Sequence, residues 1–435
     1  MTAVNEGPLV VVYDRGAAQP SEIIAQLSAV APLVFVISPS EHARSREPIF
    51  ASVAPAVRAD PPELALEQLR AMAPAGIVTF SERAVPLTSW LAERLGLPYH
   101  DQRTTRLLTD KSAQRSALAA AGVETPAFRR FTTAGEWPDV VDEVGLPAVL
   151  KPVRGGGSHN TFLITTAESG RAVVDELFAN GRVGLDNAGI DFDDAFVLEK
   201  LLVGRPSHPF GDYVSVEHLV QSGRVDSIAV TGKFPLSEPF RETGQFWPAP
   251  IGGVDEELVL DMAARAVKAL GIESGFVHTE IKLTPDGPRI IEVNGRLGGD
   301  VNELSLRATG VSLVELAGRV ALGQPVQPPR PPEDRVFYQL FHLAPRRACR
   351  LVSVSSTDAV RGRTGVTTYR ALVKPGERVP GGVQATELDM VTGDVGNHRE
   401  LTELLQEVSS RLRFEFDFDD DAQPTSVSGL ELGSL

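Results

Sequence analysis

Short apolar runs alternating with segments of helical spacing mark the first hundred residues. Leu9–Tyr13, Leu33–Ile37 and Gly76–Phe80 are brief, nearly unbroken hydrophobic runs, as expected for strands buried on both faces. Between the first two, Ser21–Val30 places Ile23, Ile24 and Leu27 on one side of a helix. A further helix is expected to reach Leu95 and stop at Gly96. Strands alternating with helices predict a parallel sheet with covered faces, so residues 1–100 read as an N-terminal α/β domain. No GxGxxG follows the first strand, and no dinucleotide site is expected there.

Beyond residue 100 the periodicity changes. A helix is predicted over Lys111–Ala121, capped by Asp110 and ended by Gly122. Leu146–Lys151 and Phe162–Thr165 are predicted strands joined by the glycine-rich loop Arg154–Asn160. Phe196–Leu202 and Tyr213–Val220 read as further strands, and Leu258–Leu270 as an amphipathic helix stopped by Gly271. Ser312 and Glu315 form a capping box for a helix to Leu322. Gln324–Pro332 is proline-rich and reads as a semi-rigid linker. A smaller α+β region at 336–414 should follow, with Leu401, Leu404, Leu405, Val408 and Leu412 on one helix face. Residues 415–435 are acidic and are expected to be disordered.

Composition narrows the function classes. At 435 residues the chain is long enough for several domains, and no run approaches the ~20 apolar residues of a membrane helix. The N-terminal residues lack the basic and apolar regions of a signal peptide, so a cytoplasmic location with no membrane partner is expected. Cys349 is the only cysteine, which excludes an intramolecular disulfide and a cysteine metal cluster. The formal charge of −15 argues against a broad nucleic-acid surface. An acidic chain that binds a polyanion needs a local basic pocket or bound cations.

One segment supplies such a cation site. His278–Arg296 reads as two strands around Pro285-Asp286-Gly287-Pro288. A hairpin centred on Asp286 sets Glu280 opposite Glu292 and Ile281 opposite Ile291. Thr279, Ile281, Leu283, Ile291 and Val293 then form an apolar face, and Glu280, Lys282, Glu292 and Asn294 share the other. Opposed like charges destabilise a hairpin, whereas two carboxylates and an amide oxygen suit a hard cation such as Mg²⁺. Lys151 closes a buried strand, where a charge needs a partner; a nucleotide phosphate would serve. The Arg154–Asn160 loop offers backbone N–H groups and three glycines, but it is not a Walker loop.

Taken in order, these pieces resemble the ATP-grasp superfamily over residues 1–335. The landmarks are Thr109-Asp110-Lys111, Ala121–Pro126, Leu150-Lys151-Pro152, the glycine loop, Leu198–Leu202, Val214–Glu217, His278–Lys282 and Ile291–Arg296. Within it the chain is similar to L-amino-acid ligases of the bacilysin-pathway type, through Asp212–Glu217, Glu242-Thr243 and His278–Leu283. The resemblance implies an α/β and α+β multidomain ATP-grasp fold: a Rossmann-like N-terminal domain (1–100), an ATP-grasp domain (101–335, with a flap over about 125–202) and a small C-terminal α+β domain.

It also implies roles. Lys111 and Lys151 would hold ATP phosphates under a flap carrying Gly155, Gly156, Gly157 and Ser158. Glu199, Lys200 and Leu202 would meet adenine, and Asp212 or Tyr213 the ribose. Glu280, Glu292 and Asn294 would hold Mg²⁺ or Mn²⁺, usually two ions. Arg296 and Lys151 would assist the chemistry, with Glu242, Lys233, Arg296 and Asp300 toward the substrates. Glu242-Thr243-Gly244-Gln245 stands where the family has Glu-Thr-Ser-His, and Asp300 replaces a bulky residue, so the resemblance leaves the amino-terminal substrate and the size and charge of the acceptor open. The expected reaction joins a small carboxylate to an amine, amino acids foremost, through an acyl-phosphate; a homodimer is common among such ligases. The alternatives are an ATP-dependent carboxylase or purine-pathway ligase, and a non-catalytic ATP-binding protein.

Overall fold

A computed structural model describes residues 7–156, 160–179, 195–382, 384–421 and 423–435. The N-terminal runs become strands Leu9–Tyr13, Leu33–Ile37 and Gly76–Thr79, joined by the short strand Ala56–Arg58. They form one parallel sheet in the order 56–58, 33–37, 9–13, 76–79. Every residue of the first two strands is buried, because helices cover both faces. One face packs Leu9, Val11 and Phe35 against Leu304, Leu313 and Phe337, residues far along the chain. This shared core locks the N-terminal sheet to the next part of the molecule. It carries the turn Glu82–Ala84, just after the fourth strand, toward the cleft described below.

An eight-stranded antiparallel sheet organises the rest. Its order is 287–294, 274–284, 213–221, 224–233, 244–247, 336–343, 387–395, 366–371. Three strands from beyond residue 335 thus extend the sheet that bears the carboxylate hairpin. The α+β region expected after the proline-rich linker is continuous with it. A smaller antiparallel sheet, ordered 128–131, 196–200, 148–152, 162–164, carries the glycine loop between Ala148–Pro152 and Phe162–Ile164.

The acidic end corrects an expectation. Residues from 415 were expected to lack order, yet Arg413–Phe418 is a strand paired on one side with Cys349–Ser355 and on the other with Thr425–Ser428. Phe414, Phe416 and Phe418 alternate inward and are buried, while Glu415 and Asp417 alternate outward. A strict period of two outweighs the charge count here.

The hairpin is also adjusted. Glu280 does face Glu292, but Ile281 pairs with Ile290 rather than Ile291. The turn is tighter than a centre at Asp286 allows, with Thr284 opposite Gly287, and a bulge at Ile291 takes up the extra residue. Ile290 therefore enters the core with Ile281, Leu283 and Val293, and Ile291 turns toward the cleft beside Glu292. Among the described residues no helix is long and apolar enough to cross a membrane.

Candidate active site

A cleft of about 980 Å³ opens between the small flap sheet and the large sheet. Its lining includes the cations Lys111, Arg115, Lys151, Arg154, Lys200 and Lys282 and the carboxylates Glu199, Glu242, Glu280 and Glu292. Six positive groups against four negative ones make this a local basic pocket in a chain of net charge −15.

Lys111 is the first residue of the helix Lys111–Ala120, fixed by Asp110, whose side chain accepts from the Ala113 amide at 2.9 Å. Its Nζ lies 2.9 Å from Glu292 Oε1 and donates to the Gly155 carbonyl at 2.5 Å. Burial works against its charge, but Glu292 more than compensates and raises its pKa. Lys151 Nζ lies 2.9 Å from Glu199 Oε2, and burial lowers its pKa in spite of that partner. Arg115 grips the same carboxylate through Nε at 3.0 Å and Nη2 at 2.9 Å. Burial would raise the Glu199 pKa, yet Arg115 and Lys151 bring it to about 2. Two buried cations thus share one carboxylate, leaving an excess positive charge that an anionic phosphate would balance.

Arg115 does a second job. Its Nη1 donates to the Ile290 carbonyl at 2.9 Å, and its Nη2 donates to that of Ile291. The neighbouring Gln114 exchanges two 2.9 Å bonds with the Val293 backbone, as a strand would. The helix thereby satisfies the free edge of strand Gly287–Asn294 and holds its bulge.

Glu280 and Glu292 sit directly opposite on adjacent strands. Glu280 Oε1 lies 3.5 Å from His278 Nε2, and His278 Nδ1 lies 2.7 Å from Glu217 Oε1. Burial opposes charge throughout this trio, but mutual pairing prevails: His278 rises to about 9, Glu217 falls, and Glu280 falls to about 2. The Glu280 carboxylate is thus held ionised. Among the described residues no three His, Cys, Asp or Glu side chains form a metal cage of their own. Two opposed carboxylates with the Asn294 amide are an all-oxygen set, which fits Mg²⁺, an ion that completes its shell with water and substrate phosphates.

Of the residues singled out in the sequence, Lys111, Lys151, Gly155, Gly156, Glu199, Lys200, Leu202, Glu242, Glu280 and Glu292 line this one cleft. Gly157 and Ser158 lie outside the described residues. Asp212, Lys233, Asn294, Arg296 and Asp300 are not in the lining. Asp212 pairs instead with Lys282 Nζ at 2.6 Å, and Tyr213 presents its ring to the cleft. Asn294 is buried, 3.4 Å from Arg296 Nη2. Arg296 Nε lies 3.4 Å from Glu82 Oε2. Lys233 is buried behind Glu242, 3.6 Å from its Oε1. Asp300 begins the helix Val301–Thr309 in a left-handed conformation; burial, then Glu387, pushes its carboxyl up to about 7. Glu199 lies inside the flap sheet, opposite Phe128 on one side and Val149 on the other, whereas Leu202 lies past the end of its strand and lines the cleft.

Sequence reasoning missed Arg115 and Glu82, and quoted Glu217 as a landmark without giving it a role. Arg115 was findable, since it lies one helical turn beyond Lys111. Glu82 was not: its carboxylate is buried without a hydrogen bond, and burial raises it to about 7 beside Arg296, a contact 214 positions away.

Residues 144–303 match the family described as the ATP-grasp domain. The sequence is 28% identical over 231 residues to alanine–anticapsin ligase of Bacillus subtilis, covering 51% of this chain and 48% of that protein. It is 30% identical over 283 residues to carnosine synthase 1 of Gallus gallus, covering 62% and 30% respectively. The match with an uncharacterised protein, y4rH, of Sinorhizobium fredii is 30% over 252 residues, covering 58% and 49%. The chain thus spans about half the length, or less, of these curated relatives. The likeness in fold extends further than the family match. The crystal structure of an L-amino acid ligase from Bacillus licheniformis superposes with a TM-score of 0.77, covering 95% of this chain and all of that one at 20% identity.

Proposed function

We propose that this ATP-grasp chain is an ADP-forming carboxylate–amine ligase that joins amino acids, or an amino acid and a small amine. The observation that carries the reading is the convergence in one basic cleft of Lys111, Lys151 and Arg115 with the opposed carboxylates Glu280 and Glu292. The relatives named for alanine–anticapsin ligation and carnosine synthesis support the substrate class.

The chemistry follows from what a carboxylate lacks. It is a poor electrophile at neutral pH, and transfer of the γ-phosphoryl group gives it a leaving group. Lys111 and Lys151 would neutralise phosphate charge, each trading its present carboxylate contact for the ligand. Glu280, Glu292 and Asn294 would hold Mg²⁺, which when bound offsets the charge of the transferring phosphoryl oxygens. Glu242 reaches the cleft from beside Lys233 and would take a substrate ammonium. Amine attack on the acyl-phosphate forms the C–N bond and expels inorganic phosphate, with Arg296 stabilising the oxyanion. The Arg154–Asn160 loop would exclude water, which otherwise hydrolyses the acyl-phosphate. A matrix of amino-acid pairs with ATP and Mg²⁺, read as phosphate release and product mass, tests the reading. Release that requires two amino acids and yields their dehydrated adduct is expected. Release driven by bicarbonate alone would replace the ligase with a carboxylase.

A further inference from the structure

A row of buried side chains crosses the large sheet behind the cleft. Lys233, Gln245 and Gln339 lie on three adjacent strands, Arg224–Lys233, Gly244–Trp247 and Val336–Leu343, each directly opposite the next. All three are buried. Lys233 Nζ donates to Gln245 Oε1 at 3.1 Å. Gln245 Nε2 donates to the Gly299 carbonyl at 2.8 Å and to Gln339 Oε1 at 2.9 Å. Gln339 Nε2 donates to the Asp300 carbonyl at 2.9 Å and to Glu303 Oε2 at 2.5 Å. Every donor points the same way, from an ammonium to a carboxylate.

A primary amide has two N–H donors and one oxygen. Gln245 and Gln339 each spend both donors and engage the oxygen on protein partners, so neither has an N–H left for a ligand. Their targets are informative. The Gly299 and Asp300 carbonyls belong to the segment between Arg296 and the helix Val301–Thr309. Asp300 holds a φ of 56°, a left-handed conformation uncommon outside glycine, so this turn needs external anchors. The far end of the row is the ammonium beside Glu242.

We propose that Gln245 and Gln339 are positioning residues that fix the spacing between the Lys233 ammonium, which backs Glu242 at the cleft, and the Arg296–Asp300 segment. This deepens the ligase reading and rests on it for the kinetic part of the test. It gives Gln245 a function that needs no contact with substrate. It also gives the strand Val336–Leu343 a part in the active site.

Two substitutions divide the row. Gln245→Glu keeps an acceptor for Lys233 but has no donor for Gly299 or Gln339, whereas Gln245→Met removes both. With the acid and amine found in the ligation screen, kcat/KM for the acid is expected to fall about 10²-fold in both variants, the scale of a ~1 Å misplacement. KM for ATP should stay within about twofold, because the phosphate and metal groups are untouched. A purely structural role would lower thermal stability and leave the acid's KM unchanged. Wild-type kcat/KM for the acid in Gln245→Glu overturns the proposal. Hydrogen exchange of residues 297–301 in the protein with Mg²⁺-ADP is the second readout, expected to speed up in both variants; unchanged protection overturns the clamp. Should Gln245→Glu fail to fold, Gln339→Met cuts the row at the Asp300 carbonyl and is judged by the same two readouts. If the wild type releases no ADP with any acid and amine, the ligase reading fails, and the exchange result alone decides the clamp.

Discussion

Glu199 concentrates the electrostatics of the cleft, because one carboxylate serves Arg115 and Lys151 together. Its ordinary value of 4.5 is brought down to about 2 in the folded chain. A depressed carboxylate contributes stability above its unfolded pKa, and that contribution is lost as pH falls through the folded value. Glu199→Gln should therefore cost about 3–5 kcal/mol near neutral pH, the scale of stranding a buried ion-pair partner. The gap to wild type should close between pH 4.5 and 2. Thermal melts of both proteins across that range check it; a gap independent of pH would refute the assignment. The sequence drew attention to Lys151, a charge closing a buried strand, and to Glu280 and Glu292, like charges opposed across a hairpin, whereas Lys111 stood out only through the family resemblance. It did not reveal Glu82 or the role of Glu217, which depend on Arg296 and His278, partners brought together only by the fold.

Among the elements, the hairpin Ser274–Asn294 and the helix Lys111–Ala120 act as one unit. Simple alternation made the pairing of Glu280 with Glu292 legible. The bulge at Ile291 was invisible because Ile290 and Ile291 are interchangeable in a hydrophobic pattern. What distinguishes them is Arg115, which binds the carbonyls of both. Arg115→Ala should loosen the bulge, speed amide exchange across Gly287–Asn294 and weaken Mn²⁺ binding, while exchange in the distant strand Leu9–Tyr13 stays unchanged. Unaltered exchange in 287–294 would mean that the turn alone sets the register. The terminal strand Arg413–Phe418 teaches the converse. Its acids suggested disorder, but three phenylalanines at alternate positions bury one face of it.

For the molecule as a whole, the cleft depends on sheet continuity. Strand Gly244–Trp247 is flanked by Arg224–Lys233 and by Val336–Leu343, so sequence-remote segments build one surface. Phe234 and Phe246 share a core with Tyr338, Leu351 and Phe414. A chain cut after residue 335 would expose that core and an open strand edge. It should be insoluble or molten rather than a working ATP-grasp unit, which circular dichroism and size-exclusion chromatography would report; a folded, monodisperse fragment would contradict the shared-core description. Fold class was readable from alternation and capping because those signals are local. The join between the two halves of the large sheet was not, since it is made by pairs remote in sequence, Gly244 with Leu340 and Trp247 with Phe337.

The central claim is that paired hairpin carboxylates hold a divalent ion for phosphoryl transfer to an acid. Its most direct measurement is amine-dependent ADP release by wild type and Glu292→Ala, with Mn²⁺ binding followed in parallel by electron paramagnetic resonance in the presence of ADP. The account predicts that the substitution abolishes both the release and the tight Mn²⁺ signal while the protein stays folded. Full amine-dependent release, or an unchanged Mn²⁺ signal, from folded Glu292→Ala would contradict it.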